Sequence, residues 1–301
     1  MHAFGFGEIA ALITSISWAA SNQVHTMAGR IIGGTNVVAA RVPLYIAGIG
    51  IGALIGGASP GLPAEAILPL CLSAIGGIVL CDPLIYTAAV SIGPRLAVLL
   101  QSLSACITAV LGCLFLDESI SLIGWIGILT ATSGVAFVLM EGGVKAGADF
   151  ATLTRLQFLH GVMLGVLGAA CLAFSFLMLK KTLLLGVDPL WAAFLRMCVG
   201  GAMLWAMMLV RGKFVSVMKT AWTSWRIMRL LLIGCGVSTF GNCLSAIAMQ
   251  LTESGIAATL IGLQPIMIIF VVMLVEHKTP TVRAVIGTVI AFSGTAIIFL
   301  R

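Results

Sequence analysis

Charge is scarce in this chain. Only 9% of its 301 residues are Asp, Glu, Lys or Arg, against roughly a quarter in a soluble domain. Hydrophobic residues make up 60% and the mean hydropathy is +1.18, which excludes an ordinary water-soluble fold. There is no CxxC pair. The eight cysteines (71, 81, 106, 113, 171, 198, 235, 243) all fall in apolar runs, so they read as small core or lipid-facing residues and not as a metal or redox centre. No Walker A motif is present, so ATP is not expected to act directly. The four histidines (2, 25, 160, 277) are scattered toward span ends, which argues against an enzyme site; no metal and no cofactor are expected. Basic residues exceed acidic ones, giving a formal charge of +6, yet they occur singly and form no aromatic-interleaved basic surface. Nucleic acid is therefore not an expected partner.

Apolar length is what the chain has in excess. Windows of bilayer-spanning length lie near Gly7–Met27, Val37–Ile55, Ile67–Val90, Leu96–Leu116, Leu122–Met140, Phe158–Leu179, Leu190–Val210, Leu230–Met249, Gly255–Val275 and Val282–Leu300. A spanning helix needs about 20 mostly apolar residues, so these are ten expected spans. The breaks carry Gly, Pro or charge: Gly56–Pro63, Ile92–Arg95, Asp117–Ser119, Glu141–Asp149, Arg211–Arg229 and Glu276–Pro280. No Lys or Arg precedes the first window, which argues for a first helix and against a cleaved signal. The expected fold is an all-α membrane protein of about ten transmembrane helices.

Displacing the chain by 160 residues aligns Ala88 with Ala248, Ala97 with Ala257, Leu100 with Leu260, Gly127 with Gly287, and Ser133-Gly134 with Ser293-Gly294. Nearer the start the shift is about 155, pairing Arg41 with Arg196. This is an internal repeat: residues 1–140, a linker at 141–157, then 158–301. Five spans per unit is an odd number, so the second copy enters from the opposite face. Such inverted repeats characterise transporters with a solute site between the halves.

Basic residues distinguish the two faces. Odd-numbered loops hold Arg30, Arg95, Lys145, Arg155, Arg211, Lys213, Lys219, Arg226, Arg229, Lys278 and Arg283, whereas even-numbered loops and the C-terminus hold Lys180, Lys181 and Arg301. Positive charge collects in the cytoplasm, so the count places both termini outside.

Four segments resemble the EamA-type branch of the drug/metabolite transporter superfamily: Trp18 within ALITSISWAASN, CDPLIYTAAVSIG ending the third span, LDESISLIGWIGILTATSGV, and its echo VEHKTPTVRAVIGTVIAFSGT. The resemblance implies two inverted five-helix bundles around a central cavity, alternating access, and small substrates such as amino acids, sugars, nucleotide derivatives or toxic compounds. It also implies export as a common direction and cytoplasmic termini, opposite to the charge count. The implied partners are a small solute and the lipid bilayer, with a homodimer left open, in the cytoplasmic membrane of a prokaryote.

Asp82 is the leading candidate for the solute and coupling-ion pathway. It follows sixteen uncharged residues and sits well inside the third span, where an ionisable group costs roughly 2.5–3.5 kcal/mol and is functional by default; the other reading is a place near the headgroups or a structural bond to Ser or Thr. The repeat places Asn242 at the equivalent position. Pro83 follows Asp82, removing one helical hydrogen bond. Arg41 and Arg196 form a second symmetric pair that either binds an anionic group through the planar fork or snorkels to the interface. Gln101, Ser104 and Gln264, with Pro265 adjoining, either line a cavity or bond neighbouring helices. Trp18, Tyr86 and Phe174 either make an aromatic wall for a ring-bearing solute or are core and interface anchors. Glu8, opening the first span, reads as interfacial or as a coupling carboxylate. Asp117, Glu118 and Glu276 read as helix caps or orientation signals.

Three motif matches do not carry chemistry here. Gly57 to Gly61 spells GxSxG without a strand before it or a triad partner. Gly5 to Ala10 spells a dinucleotide fingerprint with no βαβ unit around it. Gly48, Gly52 and Gly56 fit small-residue helix packing.

Overall fold

A computed structural model describes residues 5–92, 94–116, 118, 120–145, 155–264, 266–267 and 282–299. The readings at Asp117, Pro265 and Glu276–Pro280 fall outside them. Among the described residues every regular element is helical. The first half comprises α1 (Phe6–Ile32), α2 (Gly34–Ile55), α3 (Ala64–Ala74) continuing through Ile75–Cys81 into α4 (Asp82–Ile92), α5 (Pro94–Phe115) and α6 (Leu122–Lys145). The second half comprises α7 (Arg155–Leu184), α8 (Pro189–Val210), α9 (Phe214–Thr223), α10 (Trp225–Leu251), α11 (Ser254–Ile261) and α12 (Val282–Phe299).

Among the described residues five stretches are long and apolar enough by themselves to cross a bilayer: Gly34–Ile55, Ala64–Ile92, Leu156–Leu184, Pro189–Val210 and Trp225–Leu251. The 27-residue α1 is as long but more polar. Its Thr14, Ser15, Ser17, Ser21, His25 and Thr26 are buried, while Phe6, Ile9, Ile13, Ile16, Met27 and Ile31 are exposed. Polar side chains inward and aliphatic ones outward is the arrangement hydrocarbon solvent demands. The same holds elsewhere, with Leu54 and Ile55 each 83% exposed and Val210 90% exposed.

The repeat is visible in the packing. In each half the first helix lies along the third span of the other half: α1 against α10, and α7 against α3, the Ile75–Cys81 segment and α4. The last helices, α6 and α12, pack on each other through reciprocal glycines. A Cβ on Gly134 would sit 2.5 Å from Ala291 N, and one on Gly294 would strike Ala131 N. Positions 131 and 291 are repeat equivalents, as are 134 and 294, so the seam obeys the pseudo-two-fold. Only glycine lets two helix backbones approach this closely.

Two elements depart from the sequence reading. Arg211–Arg229, which reads as a break between spans, contains the short helix α9 and the first turn of α10. Lys180, which reads as a loop charge, is inside α7 and only 8% exposed. Its Nζ donates to Met249 O and Thr252 O at 2.8 Å each, satisfying carbonyls that the end of α10 leaves without helical partners. Beside it the Glu118 carboxylate accepts from Ser254 N at 3.1 Å and from Ser254 Oγ at 2.6 Å. This caps α11 across the repeat boundary. The face that carries the even loops is therefore tied together between the halves.

Candidate functional site

Between the halves lies a polar cavity of about 90 Å³. Its position follows from where the helices begin. Arg41 is seven positions past Gly34, the first residue of α2, and Arg196 seven positions past Pro189, the first residue of α8. At 1.5 Å per residue each arginine's Cα lies about 10 Å along its own helix. The two helices start from opposite faces, so the arginines approach the midplane from both sides of a core about 30 Å thick. Between them the third span is locally rewound. Pro83 has no N–H to donate backward, and the preceding Ile75–Cys81 turns widen into a π-type segment. Gly76 and Gly77 inside it admit α7: a Cβ at Gly77 would lie 2.6 Å from Ser175 Oγ and 3.0 Å from Arg196 Nη2.

Arg41 is 5% exposed; it does not snorkel. Its Nη2 forms an ion pair with Asp82 Oδ2, its Nη1 donates to Tyr86 Oη at 2.9 Å, and its guanidinium lies 4.8 and 4.9 Å from the ring centroids of Tyr86 and Tyr45. The chain has just two tyrosines, and both serve this arginine. Tyr86 Oη donates onward to Asn22 Oδ1 at 2.6 Å, and Asn22 Nδ2 to Gln264 Oε1 at 3.0 Å. One hydrogen-bonded chain thus runs from Asp82 through Arg41, Tyr86 and Asn22 into the second half. His25, fully buried, packs edge-on against Tyr86 with its Nδ1 3.4 Å from Arg41 Nη1.

Arg196 is held differently. Its Nη2 donates to Ser175 Oγ at 3.0 Å, while its Nε is buried without a partner. Asp82 is the single acidic side chain among the residues lining the cavity and lies within electrostatic reach of both arginines. Its side chain is 29% exposed.

Of the nine residues singled out from sequence, Trp18, Arg41, Asp82, Tyr86, Gln101, Arg196 and Asn242 line this cavity. Ser104 and Gln264 line a smaller pocket that shares Gln101, Leu172 and Phe176 with it. Phe174 does not join the wall; it is 39% exposed. Phe176, one position beyond Ser175, faces inward and stacks on Trp18 with centroids 6.4 Å apart and planes 12° from parallel. Glu8 lies in the first turn of α1, away from the lining residues. Sequence reasoning missed Asn22, His25, Tyr45 and Ser238. A signal existed for the first two, three positions apart on one face of α1. Tyr45, whose Oη bonds Ser238 Oγ, lies one turn beyond Arg41 on the same face of α2.

A lipid-facing exterior, two five-helix repeats and a buried polar cavity at their junction define an integral, multi-pass membrane protein with a central site. The EamA-like transporter family model matches residues 5–140 and 159–300, and the chain belongs to that family. No curated relative matches. A solved protein crystal structure is similar over 98% of this chain and 96% of that one, with a TM-score of 0.75 at 13% identity, which shows a shared fold.

Proposed function

We propose that this chain is a secondary transporter that moves a small solute through the central cavity by alternating access of its two repeats, with Asp82 as the proton-coupling carboxylate. The observation that carries this reading is the convergence of Arg41, Asp82 and Arg196, from both repeats, on one polar cavity. Protonating Asp82 removes the charge that holds Arg41. That loosens the hydrogen-bonded chain reaching Gln264 and so couples the proton to the contact between halves. Inverted repeats rocking about a fixed midplane site supply the alternation. Export is our reading of the direction, and it rests on the family alone. The contacts of Glu118 with Ser254, which join the halves there, are the ones that must break for the even-loop face to open.

The test is uptake by vesicles containing the purified full chain, offered a pooled metabolite mixture and read by mass spectrometry with and without a pH gradient. We expect selective entry of one chemical class that responds to the gradient, and loss of that response in Asp82→Asn. Equal flux in Asp82→Asn under both conditions, if the unaltered chain shows it too, removes the coupling role. Entry of nothing under any gradient removes transport itself, and ion currents without solute entry would make the chain a channel.

A further inference from the structure

The two halves of the cavity differ by one counter-ion. In the first, Arg41 faces Asp82, Tyr86 and His25, so its charge is paired and both terminal nitrogens have partners. In the second the repeat retains the arginine, at 196, but places Asn242 where the first half has Asp82. The cavity lining then holds two guanidinium groups and one carboxylate. A guanidinium has five N–H donors in a planar fork. At Arg196 one hydrogen bond, to Ser175, is made and Nε is buried unpartnered. The one carboxylate within reach, Asp82, is already paired with Arg41, so the charge of Arg196 is met only in part, which is costly inside a membrane, and Gly77 keeps the space over Nη2 clear where any Cβ would intrude.

We infer that Arg196 is the anion-binding element of the site, and that the transported solute is a small organic carboxylate whose charge stands in for the acid that the second repeat lacks. Deepening the transport reading in this way rests on that reading. A carboxylate matches the fork bidentately, and Asn242 lines the same cavity. The stacked Trp18 and Phe176, with Leu172 and Met197, form the apolar remainder of the wall and suit a flat or hydrocarbon body. A cavity of about 90 Å³ suits a small solute. Arg41 is reserved for Asp82, which accounts for why one arginine binds solute and the other does not.

The experiment uses phosphatidylcholine vesicles, which carry no net charge, containing the full chain. They are offered an equimolar pool of small carboxylates together with the neutral amides and the amines of the same carbon skeletons. Carboxylates are expected to enter preferentially. Arg196→Gln is expected to lower their entry about tenfold or more, the scale of hydrogen bonds to a charged group. Asn242→Asp, which supplies the missing counter-ion from within, is expected to do the same without removing the arginine. If Arg196→Gln does not fold, the selectivity of the unaltered chain and the effect of Asn242→Asp decide the matter. Amides or amines entering as well as carboxylates, or carboxylate entry unchanged in both variants, overturns the anion assignment while transport stands. The assignment is likewise overturned if solutes of the metabolite mixture enter but none of this pool does. No entry from either pool fells the transport reading, and this inference with it.

Discussion

The two repeats set an arginine at the same depth from opposite faces, yet they treat it differently. Arg41 is enclosed by a carboxylate, two tyrosines and a histidine, and its hydrogen bonds extend into the other half. Arg196 rests over a glycine with one serine for company. A symmetric scaffold has therefore been made asymmetric at its centre, where one copy keeps an internal ion pair and the other keeps an open cation. In the transport reading proposed above, the difference separates two tasks that one residue type would otherwise share: holding the halves together and meeting a solute.

The sharpest way to break this comparison is to remove each arginine in turn. Arg41→Gln leaves Asp82, whose side chain is 29% exposed, without its ion-pair partner, and breaking a pair this far buried from one side costs about 3 kcal/mol, the lower end for buried pairs. Arg196→Gln gives up one hydrogen bond, about 1 kcal/mol, and relieves an unpartnered donor. Unfolding in detergent should therefore show a large loss for the first and a small one for the second. The double variant Arg41→Leu with Asp82→Leu should recover most of the stability, since a well-packed apolar pair often replaces a buried ion pair without loss. Equal losses for the two single variants would mean that Arg196 has structural partners as important as those of Arg41.

The seam between α6 and α12 is the control, because there the halves are alike. Gly134→Ala and Gly294→Ala each push a methyl into the facing backbone near Ala291 or Ala131. Neither backbone can move aside without separating the helices. Overpacking of this kind costs about 1–3 kcal/mol, and we expect the two variants to be destabilised equally in the same unfolding measurement. Unequal losses would show that the pseudo-two-fold fails even at the seam.

Much of this arrangement is legible in the sequence. The spans, the repeat and the seam glycines follow from apolar length and from one displacement, and Asp82 stands out as a lone charge in a long apolar run. The Arg41–Asp82 pair is not legible. Its members are 41 positions apart, and helix rotation, which no single sequence fixes, decides whether they meet. Depth escapes the sequence for a simpler reason. The second apolar window begins at Val37, but the helix begins at Gly34 after a turn at Gly33 with φ +92, which moves Arg41 a turn deeper than its window suggests. His25 reads as lying near a span end, whereas α1 continues to Ile32. Phe174 and Phe176 differ by two positions on one helix, so rotation alone decides which meets lipid and which the cavity.

The third span of each half offers the finest comparison. In the first, the π-type winding holds Gly76 where an added Cβ would lie 3.1 Å from Cys171 O and 3.3 Å from Ser175 Cβ, the contact that lets α7 approach. Its repeat equivalent Gly236 lies in the uninterrupted helix α10 with nothing within 4 Å of an added Cβ. Alanine is favoured over glycine inside a helix by roughly 0.5–1 kcal/mol, so Gly236→Ala should raise the melting temperature slightly. Gly76→Ala gains the same propensity but must displace α7, and with it the Ser175 hydroxyl that holds Arg196 in place. We expect a net loss of stability of about 1 kcal/mol together with reduced carboxylate entry. Two glycines that the repeat makes equivalent would then respond with opposite sign, and a shared sign would mean that the close approach at Gly76 is not what positions Arg196.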